Sequence, residues 1–486
     1  MLFSSLTFLT VFLPLALLVL WTLDAVAGRL RFFRYAPNAA LLLLSLAFAF
    51  WHDGFGMLWL LGSALVNDGL ARLIARASPG SRARRLRCGM AVAANLVFLG
   101  VFKYTAFAVG TVHSLLGTSI AVPAFLVPLG ISFFTFSAIS YVIDVARGTV
   151  APARTPLESV CYLAMFPKLT AGPIVRYGTV AEALAETRPF DAALVVSGFR
   201  RLILGLAKKT LIADTVGAMA DSVWALAGDG HGMPALMAWI GLVSYALQIY
   251  FDFSGYSDMA IGIGRMLGFR FDENFLHPYA ATSIRDFWRR WHVSLSRWFR
   301  DYLYIPLGGN RKGLARTCLN SLVVFLLCGL WHDAGWMFVL WGLWHGLFIT
   351  LERLFSRRKP GDPLPFWPAL AGHVYATAAF LLGWLLFRSH GFADLGVLLQ
   401  SLAGLAEVSR ESRALWLEMT PEFFGAFALG ILFSYPVVPR VREWLGRRVP
   451  AALLLAAENT VLTALAALCV FFLAGSSYHA FLYQQF

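Results

Sequence analysis

Residues 283–313 read SIRDFWRRWHVSLSRWFRDYLYIPLGGNRKG, and residues 326–346 read LLCGLWHDAGWMFVLWGLWHG. Together they place arginines, tryptophans and three histidines within a chain that is otherwise largely hydrocarbon. Ionisable groups are costly inside a membrane, so they mark functional sites by default. These two stretches therefore decide both the fold class and the candidate site.

The first stretch has a helical repeat with two distinct faces. Apolar side chains recur at steps of three or four residues, and polar side chains recur at the same steps. The apolar face holds Phe287, Trp291, Leu295, Trp298 and Tyr302, and the polar face holds Arg285, Arg289, His292, Ser296 and Arg300. The pattern predicts one amphipathic helix in the membrane interface, which Pro306 and the following glycines end.

The composition indicates a membrane protein with many spans. Of its 486 residues 59% are hydrophobic and only 14% are charged, which excludes ordinary soluble domains. About twelve apolar runs approach the length that crosses a bilayer, at residues 4–26, 37–51, 55–73, 89–109, 125–146, 203–226, 236–254, 316–331, 334–352, 367–387, 421–437 and 450–473. The 40 Lys and Arg residues fall between these runs, so the net charge of +13 reflects membrane topology and not nucleic-acid binding.

Residues 157–174 form an apolar run that Pro167, Gly172 and Pro173 interrupt. The pattern predicts a re-entrant segment, and irregular backbone at that depth is tolerated only where protein or a water-filled cavity surrounds it. We therefore expect a central cavity. No hydrophilic linker is long enough to separate domains, so the sequence predicts one integral-membrane domain over residues 1–486.

Several long blocks resemble the membrane-bound O-acyltransferases, and among them the bacterial branch typified by alginate O-acetyltransferase. The two opening stretches carry the resemblance, together with PLGISFFTFSAISYVIDVARG at 128–148, FPKLTAGPIVRY at 166–177 and FDFSGYSDMAIGIGRMLGF at 251–269. These blocks cover most of the chain between residues 100 and 350. Asp333 departs from the pattern, since many relatives have glycine there.

The resemblance implies a multi-pass enzyme of the bacterial inner membrane. It would move acetyl from a cytoplasmic donor, acetyl-CoA, towards the periplasm for O-acetylation of an exopolysaccharide such as alginate. The resemblance implies a separate periplasmic acetyltransferase as partner and membrane lipid around the protein. It implies no cofactor. The five cysteines show no paired metal-ligand spacing, so we expect no metal site.

Acetyl transfer to a hydroxyl group needs a base that is neutral near pH 7, and histidine, with an ordinary pKa of about 6.5, suits that role. The resemblance assigns the base to His332 and matches His292 to a second polar position. The alternative for His332 is a core histidine that bonds a helix carbonyl. The alternative for His292 is an interfacial histidine on a solvated arginine face.

Four further residues are candidates for supporting roles. His345 lies 13 residues after His332, which on a straight helix is about 20 Å along and roughly 220° around, so we expect the two histidines to lie apart unless a glycine bends the path. Arg285 and Arg289 suit either lipid headgroups or the phosphates of acyl-CoA. Asp252 either lines the cavity or packs between helices.

A transporter that moves an acyl carrier or a polysaccharide without bond chemistry is the alternative function. Transporters with many spans often contain inverted repeats, and the sequence shows none. Paired Trp-His motifs beside arginines favour chemistry. Release of labelled acetyl from acetyl-CoA would separate the two functions.

Overall fold

Helices form all the regular secondary structure in the residues that the computed structural model describes, which are 3–117, 126–355, 365–475 and 481–482. The predicted all-α class is confirmed. In chain order the α-helices are α1 (Leu13–Arg29), α2 (Ala36–Asp53), α3 (Met57–Ala75), α4 (Arg82–Leu116), α5 (Ile131–Arg147), α6 (Pro156–Ala164), α7 (Tyr177–Ala185), α8 (Ala192–Ala207), α9 (Asp214–Gly228), α10 (Ala235–Met266), α11 (Ile284–Arg290), α12 (Val293–Phe299), α13 (Leu314–His332), α14 (Trp336–Phe355), α15 (Phe366–Arg388), α16 (Phe392–Leu402), α17 (Pro421–Phe433), α18 (Val437–Gly446) and α19 (Ala451–Gly475).

Shorter helical turns connect several of these helices. The π-helical turns are Phe8–Phe12 before α1, Lys208–Ala213 between α8 and α9, and Arg300–Tyr304 after α12. The 3-10 turns are Arg31–Phe33, Gly54–Gly56, Phe166–Lys168, Pro278–Ala280 and Glu411–Glu418.

Within the described residues, eight helical stretches are long and apolar enough to cross a membrane, or nine if the bent pair of Glu411–Glu418 and α17 is one span. The predicted count of about twelve is not confirmed. Two of the predicted spans lie in one stretch, Ala36–Ala75, which a 3-10 turn interrupts. Two others correspond to α5 and α9, which have 17 and 15 residues and are shorter than the roughly 20 residues that a bilayer requires.

The chain divides into two compact units. The first contains residues 1–202 and 257–273, and the second contains residues 203–256 and 274–486. The second unit holds every candidate site residue, namely Arg285, Arg289, His292, His332, His345 and Asp252. The single integral-membrane domain stays a prediction.

The predicted interruption after α6 lies in the first unit. Helix α6 ends at Ala164, a 3-10 turn follows at Phe166–Lys168, and no regular helix resumes before Tyr177. Every residue from 158 to 175 is buried, and the Tyr162 hydroxyl donates to the Val175 carbonyl at 2.9 Å. Protein therefore surrounds this irregular backbone, as its many polar groups require.

The single amphipathic helix predicted from residue 283 onward is wrong, because the chain breaks at Trp291 and His292. Helix α11 ends at Arg290, Trp291 is extended, and His292 has a left-handed backbone with φ of 42°. The break is held by a backbone hydrogen bond from the Val293 N–H to the Asn274 carbonyl at 2.9 Å. His292 is fully buried, so it does not share a solvated face with the arginines.

Helices α13 and α14 form a closely packed hairpin. A Cβ atom on Gly329 would lie 2.1 Å from the Phe338 carbonyl oxygen, and one on Gly342 would lie 2.3 Å from the Phe325 carbonyl oxygen. Glycine is therefore required at both positions for the two backbones to approach so closely, as is common between membrane helices. The hairpin places His332, at the end of α13, against the first turns of α14.

Candidate active site

His332 is the last residue of α13 and is 3% exposed. Its imidazole packs edge-on against the Trp341 ring, with ring centroids 5.0 Å apart, and against the Phe387 ring at 5.2 Å. Residues Asp333–Gly335 break the helix directly after it. The histidine therefore lies at a helix end and among aromatic rings, where a side chain that titrates is rare.

His292 occupies the break between α11 and α12 and has a defined hydrogen-bond partner. Its Nδ1 lies 3.1 Å from Oδ1 of Asn274, and the same oxygen accepts the Ser294 N–H at 3.2 Å and the Ser294 hydroxyl at 2.9 Å. A left-handed non-glycine residue costs about 1–3 kcal/mol, and such strain persists only where the surroundings impose it. Asn274 is part of those surroundings.

The hydrogen bonds assign the tautomer of His292. A backbone N–H only donates, so the Asn274 atom that receives the Ser294 N–H must be oxygen, and His292 must then donate from Nδ1. Burial lowers the pKa of His292 to about 3, so the ring is neutral. A neutral ring with a proton on Nδ1 carries its lone pair on Nε2.

His345 lies on α14, four residues after Trp341, and is 1% exposed. The Trp288 indole N–H donates to its Nδ1 at 3.3 Å. Its ring also contacts the Trp341 ring, with centroids 5.0 Å apart. The straight helix that would separate His332 from His345 is absent, because the chain breaks at Asp333–Gly335 and the Trp341 ring contacts both imidazoles.

Two tryptophans connect the three histidines into one run of rings. Trp331 lies 6.0 Å from the His292 ring and 5.0 Å from the His332 ring, and Trp341 continues the run to His345. All five side chains are buried. The structure therefore brings together three histidines that the sequence separates by up to 53 residues, within a single compact unit.

Asp252, on α10, has polar partners of its own elsewhere in the chain. Its Oδ1 lies 2.8 Å from the Lys209 ammonium, and its Oδ2 accepts the Leu482 N–H at 2.9 Å. The next residue, Phe253, packs edge-on against the His292 ring at 4.8 Å. Asp252 thus joins a buried ion pair, while its neighbour forms part of the wall around His292.

The arginines of α11 differ in their surroundings. The Arg285 guanidinium donates from Nε to Glu352 at 3.1 Å, and Arg290 is paired with Asp286 at 3.0 Å. Arg289 is exposed. Glu352 also accepts the backbone N–H groups of residues 284 and 285, at 2.5 and 3.0 Å, so it fixes the first turn of α11 as well as the Arg285 side chain.

Several residues that shape the site were not predicted from the sequence. His292 is partnered by Asn274, and His345 by Trp288. Arg285 is partnered by Glu352, and Asp252 by Lys209. Each pair is separated by 18 to 67 residues, so no local spacing reveals it. The polar character of Lys209 and Glu352 within largely apolar runs was the available signal, since buried charges need partners.

Comparison with known protein families bears directly on this arrangement. Residues 117–387 match the model of the membrane-bound O-acyltransferase family. The chain belongs to that family. The match covers more than half of the sequence and includes His292, His332 and His345, so the run of buried rings lies inside the part of the chain that defines an O-acyltransferase.

Individual relatives agree with the family match. A protein of Pseudomonas putida named probable alginate O-acetylase is 39% identical over 80% of this chain and 77% of its own length. The peptidoglycan O-acetyltransferase of Helicobacter pylori is 34% identical over 84% of this chain and 81% of its own. A teichoic acid D-alanyltransferase of Bacillus subtilis is 27% identical over 54% of this chain.

These relatives are named as enzymes that acylate alginate, peptidoglycan and teichoic acid. The protein is an acyltransferase of a multi-span membrane family, and its similarities support polysaccharide O-acetylation. A transporter without bond chemistry is not supported, since the whole of the candidate site lies within an acyltransferase family match.

Proposed function

We propose that the protein takes acetyl from acetyl-CoA on the cytoplasmic side of the bacterial inner membrane and delivers it towards an exopolysaccharide such as alginate. The observation that carries this proposal is the buried run of rings from His292 through His332 to His345, inside an O-acyltransferase family match. Aromatic walls exclude water, which would otherwise hydrolyse an activated acetyl group.

His332 is the proposed general base. It removes the proton of the acceptor hydroxyl as that oxygen bonds to the carbonyl carbon of the thioester. The carbon–sulfur bond then breaks, and coenzyme A leaves as a thiol that takes its proton from the His332 imidazolium. The imidazole packs against the Trp341 and Phe387 rings, which exclude water from it.

His292 is the proposed second catalytic residue. Asn274 holds its proton on Nδ1, so Nε2 presents a lone pair. It can therefore accept a hydrogen bond from a hydroxyl or thiol in the site. The Trp331 ring contacts both His292 and His332.

Arg289 is the proposed contact for the phosphates of acetyl-CoA. It lies on α11, three residues before His292, and is exposed. Arg285 and His345 support this site through α11 and α14, and Asp252 supports it by holding α10 beside His292. Lipid headgroups are the competing partner for an exposed arginine.

The proposed acceptor side involves a separate protein. A periplasmic acetyltransferase partner would receive the acetyl group and complete its transfer to the exopolysaccharide. The apolar spans of this chain support a reaction within the membrane, and a polymer outside the membrane would need a carrier or a partner to meet the acetyl group.

The experiment that tests the proposal measures acetyl release from radiolabelled acetyl-CoA by the purified protein in lipid nanodiscs. We expect His332→Ala to abolish release while the variant still inserts and accumulates, because the change removes a proton acceptor and adds no charge. His292→Ala should reduce release by about 10²-fold or more.

His231 provides the matched control. Its side chain is 39% exposed and lies 3.7 Å from Glu411, and an exposed pair of this kind contributes little to stability. His231→Ala should therefore release acetyl at the wild-type rate. Full activity of His332→Ala would refute the proposed base, and absence of release by the wild-type protein would refute acetyl-CoA as donor.

A further inference from the structure

Two buried N–H donors lie on one face of α14. Trp341 and His345 are four residues apart, which places them one above the other on a helix. The Trp341 side chain is fully buried and His345 is 1% exposed. Their ring centroids are 5.0 Å apart, so the two rings are in contact.

Trp288 decides which nitrogen of His345 carries the proton. An indole N–H only donates, and that of Trp288 points to Nδ1 of His345 at 3.3 Å. The acceptor nitrogen must hold a lone pair, so the ring is neutral and its proton is on Nε2. His345 is therefore a donor at Nε2, the opposite of the tautomer that Asn274 imposes on His292.

Neither donor has an acceptor among the described residues. The Trp341 Nε1 atom and the His345 Nε2 atom are both buried without a hydrogen-bond partner in that part of the chain. Unmade hydrogen bonds of buried groups are unfavourable and uncommon in folded proteins. Two such donors on rings in contact indicate a place where a ligand supplies an oxygen.

The surroundings limit the chemistry of that oxygen. Besides His332 and Trp288, the neighbours of the two rings include Phe287, Trp384 and Phe387, and none of these last three side chains carries a charge. A phosphate or carboxylate would need a cation beside it. A carbonyl oxygen needs only neutral donors in the ground state, and it gains charge only when a nucleophile attacks its carbon.

We propose that Trp341 Nε1–H and His345 Nε2–H form the oxyanion-binding pair for the acyl carbonyl of the donor thioester. The pair rests on the proposed function, because the Trp341 ring also contacts His332, the proposed base, at 5.0 Å. As the acceptor oxygen bonds to the carbonyl carbon, the carbonyl π electrons move to its oxygen, and both N–H groups bind that charge. The electrons return when the carbon–sulfur bond breaks and the thiol leaves.

Trp288 is a positioning residue in this proposal. It does not touch the acyl group, but it keeps the proton of His345 on Nε2. Without the indole N–H, Nδ1 of His345 can take the proton instead and Nε2 then repels the developing charge. The effect of Trp288 should therefore be on the acyl carbonyl and not on binding of the donor.

The test uses a ketone analogue of acetyl-CoA, in which a methylene replaces the thioester sulfur and the carbonyl carbon is ¹³C. Difference infrared spectroscopy of the bound analogue reports hydrogen bonds to the carbonyl as a lower stretching frequency. We expect a lowered frequency in the wild-type protein and a return towards the unbound value in Trp341→Phe and His345→Phe. Trp288→Phe should give an intermediate value.

Trp344→Phe is the matched control. Its indole N–H lies on the same helix but already donates to the Ala379 carbonyl at 2.8 Å, so its loss should leave the frequency unchanged. In turnover, loss of either donor should lower kcat by about 10²–10³-fold with KM for acetyl-CoA nearly unchanged. If one variant fails to accumulate, the other two carry the test.

The outcomes separate this inference from the proposed function. An analogue that binds all variants with the wild-type frequency would overturn the oxyanion pair and leave acetyl transfer in place. If the wild-type protein neither binds the analogue nor releases acetyl from acetyl-CoA, the proposed function fails and the oxyanion pair with it.

Discussion

Asn274 sets the protonation of His292, since its side-chain oxygen lies 3.1 Å from Nδ1 and also accepts the N–H and the hydroxyl of Ser294. An oxygen that accepts three hydrogen bonds cannot be replaced by an amide nitrogen. The proton of the imidazole therefore stays on Nδ1. Asn274 serves His292 in the way that a carboxylate or carbonyl serves a catalytic histidine elsewhere.

The first prediction follows from this contact. In Asn274→Ala the Nδ1 acceptor is lost, and the proton can move to Nε2, so we expect kcat for acetyl release to fall by about 10²-fold or more. Asn274→Asp keeps an acceptor oxygen and should retain most of the activity. Ser294→Ala removes one donor and leaves the Asn274 contact to His292, so a loss in Ser294→Ala as large as in Asn274→Ala would contradict the assignment.

Glu352 gives a prediction about stability. It is 9% exposed and accepts hydrogen bonds from the N–H groups of Ile284 and Arg285, the Arg285 guanidinium and the Tyr375 hydroxyl. Glu352→Ala leaves these donors without their acceptor, which should cost about 2–3 kcal/mol. Thermal unfolding in detergent should show a clear loss of stability, and Glu352→Gln, which keeps one acceptor oxygen, should lose less.

Gly383 gives a prediction about the position of His345. A Cβ atom at Gly383 would lie 2.8 Å from Nε2 of His345. A Cβ atom does not pack so closely against a ring nitrogen, so Gly383→Ala should push the imidazole aside. We expect acetyl release to fall well below wild type while the protein still accumulates. Gly396 has no atom within 4 Å of an added Cβ, and Gly396→Ala should be active. Equal activity of the two variants would show that His345 need not hold its position.

The geometry of the candidate site was harder to predict from the sequence than which residues to consider for it. The Trp-His pair at residues 331–332 stands out in the sequence because titratable groups are rare among apolar runs, whereas His292 lies among arginines. Where the backbone turns is harder to predict. The pattern from Phe287 to Tyr302 has a perfect helical repeat, yet the chain breaks at His292, because hydrogen bonds from residues 274–276 compete with those of the helix.

Contacts between distant residues account for most of what the sequence could not predict. A straight helix would separate His332 from His345. In the structure, the three residues Asp333–Gly335 reverse the chain and bring both rings to Trp341. Asp252 was expected to line a cavity or pack between helices, and it pairs with Lys209 through a π-helical turn. Neither outcome depends on local propensity, so periodicity carries no information about it.

The last prediction separates donor binding from membrane anchoring at the arginines. An exposed arginine that only attracts lipid headgroups acts as a point charge worth about 1 kcal/mol, and lysine can replace it. An arginine that binds a phosphate through two N–H groups loses that geometry on change to lysine. Arg289 and Arg297 are both exposed, which makes them a matched pair. The polar face that joined Arg289 to His292 in the predicted helix is absent, because the chain breaks at His292.

We nevertheless expect the effect at Arg289, because it is exposed on α11, the helix that ends two residues before His292. Steady-state kinetics with acetyl-CoA should show a raised KM in Arg289→Lys with kcat nearly unchanged, and wild-type values in Arg297→Lys. A raised KM in both variants would point to general charge attraction, and wild-type values in both would leave lipid anchoring as the role of these side chains.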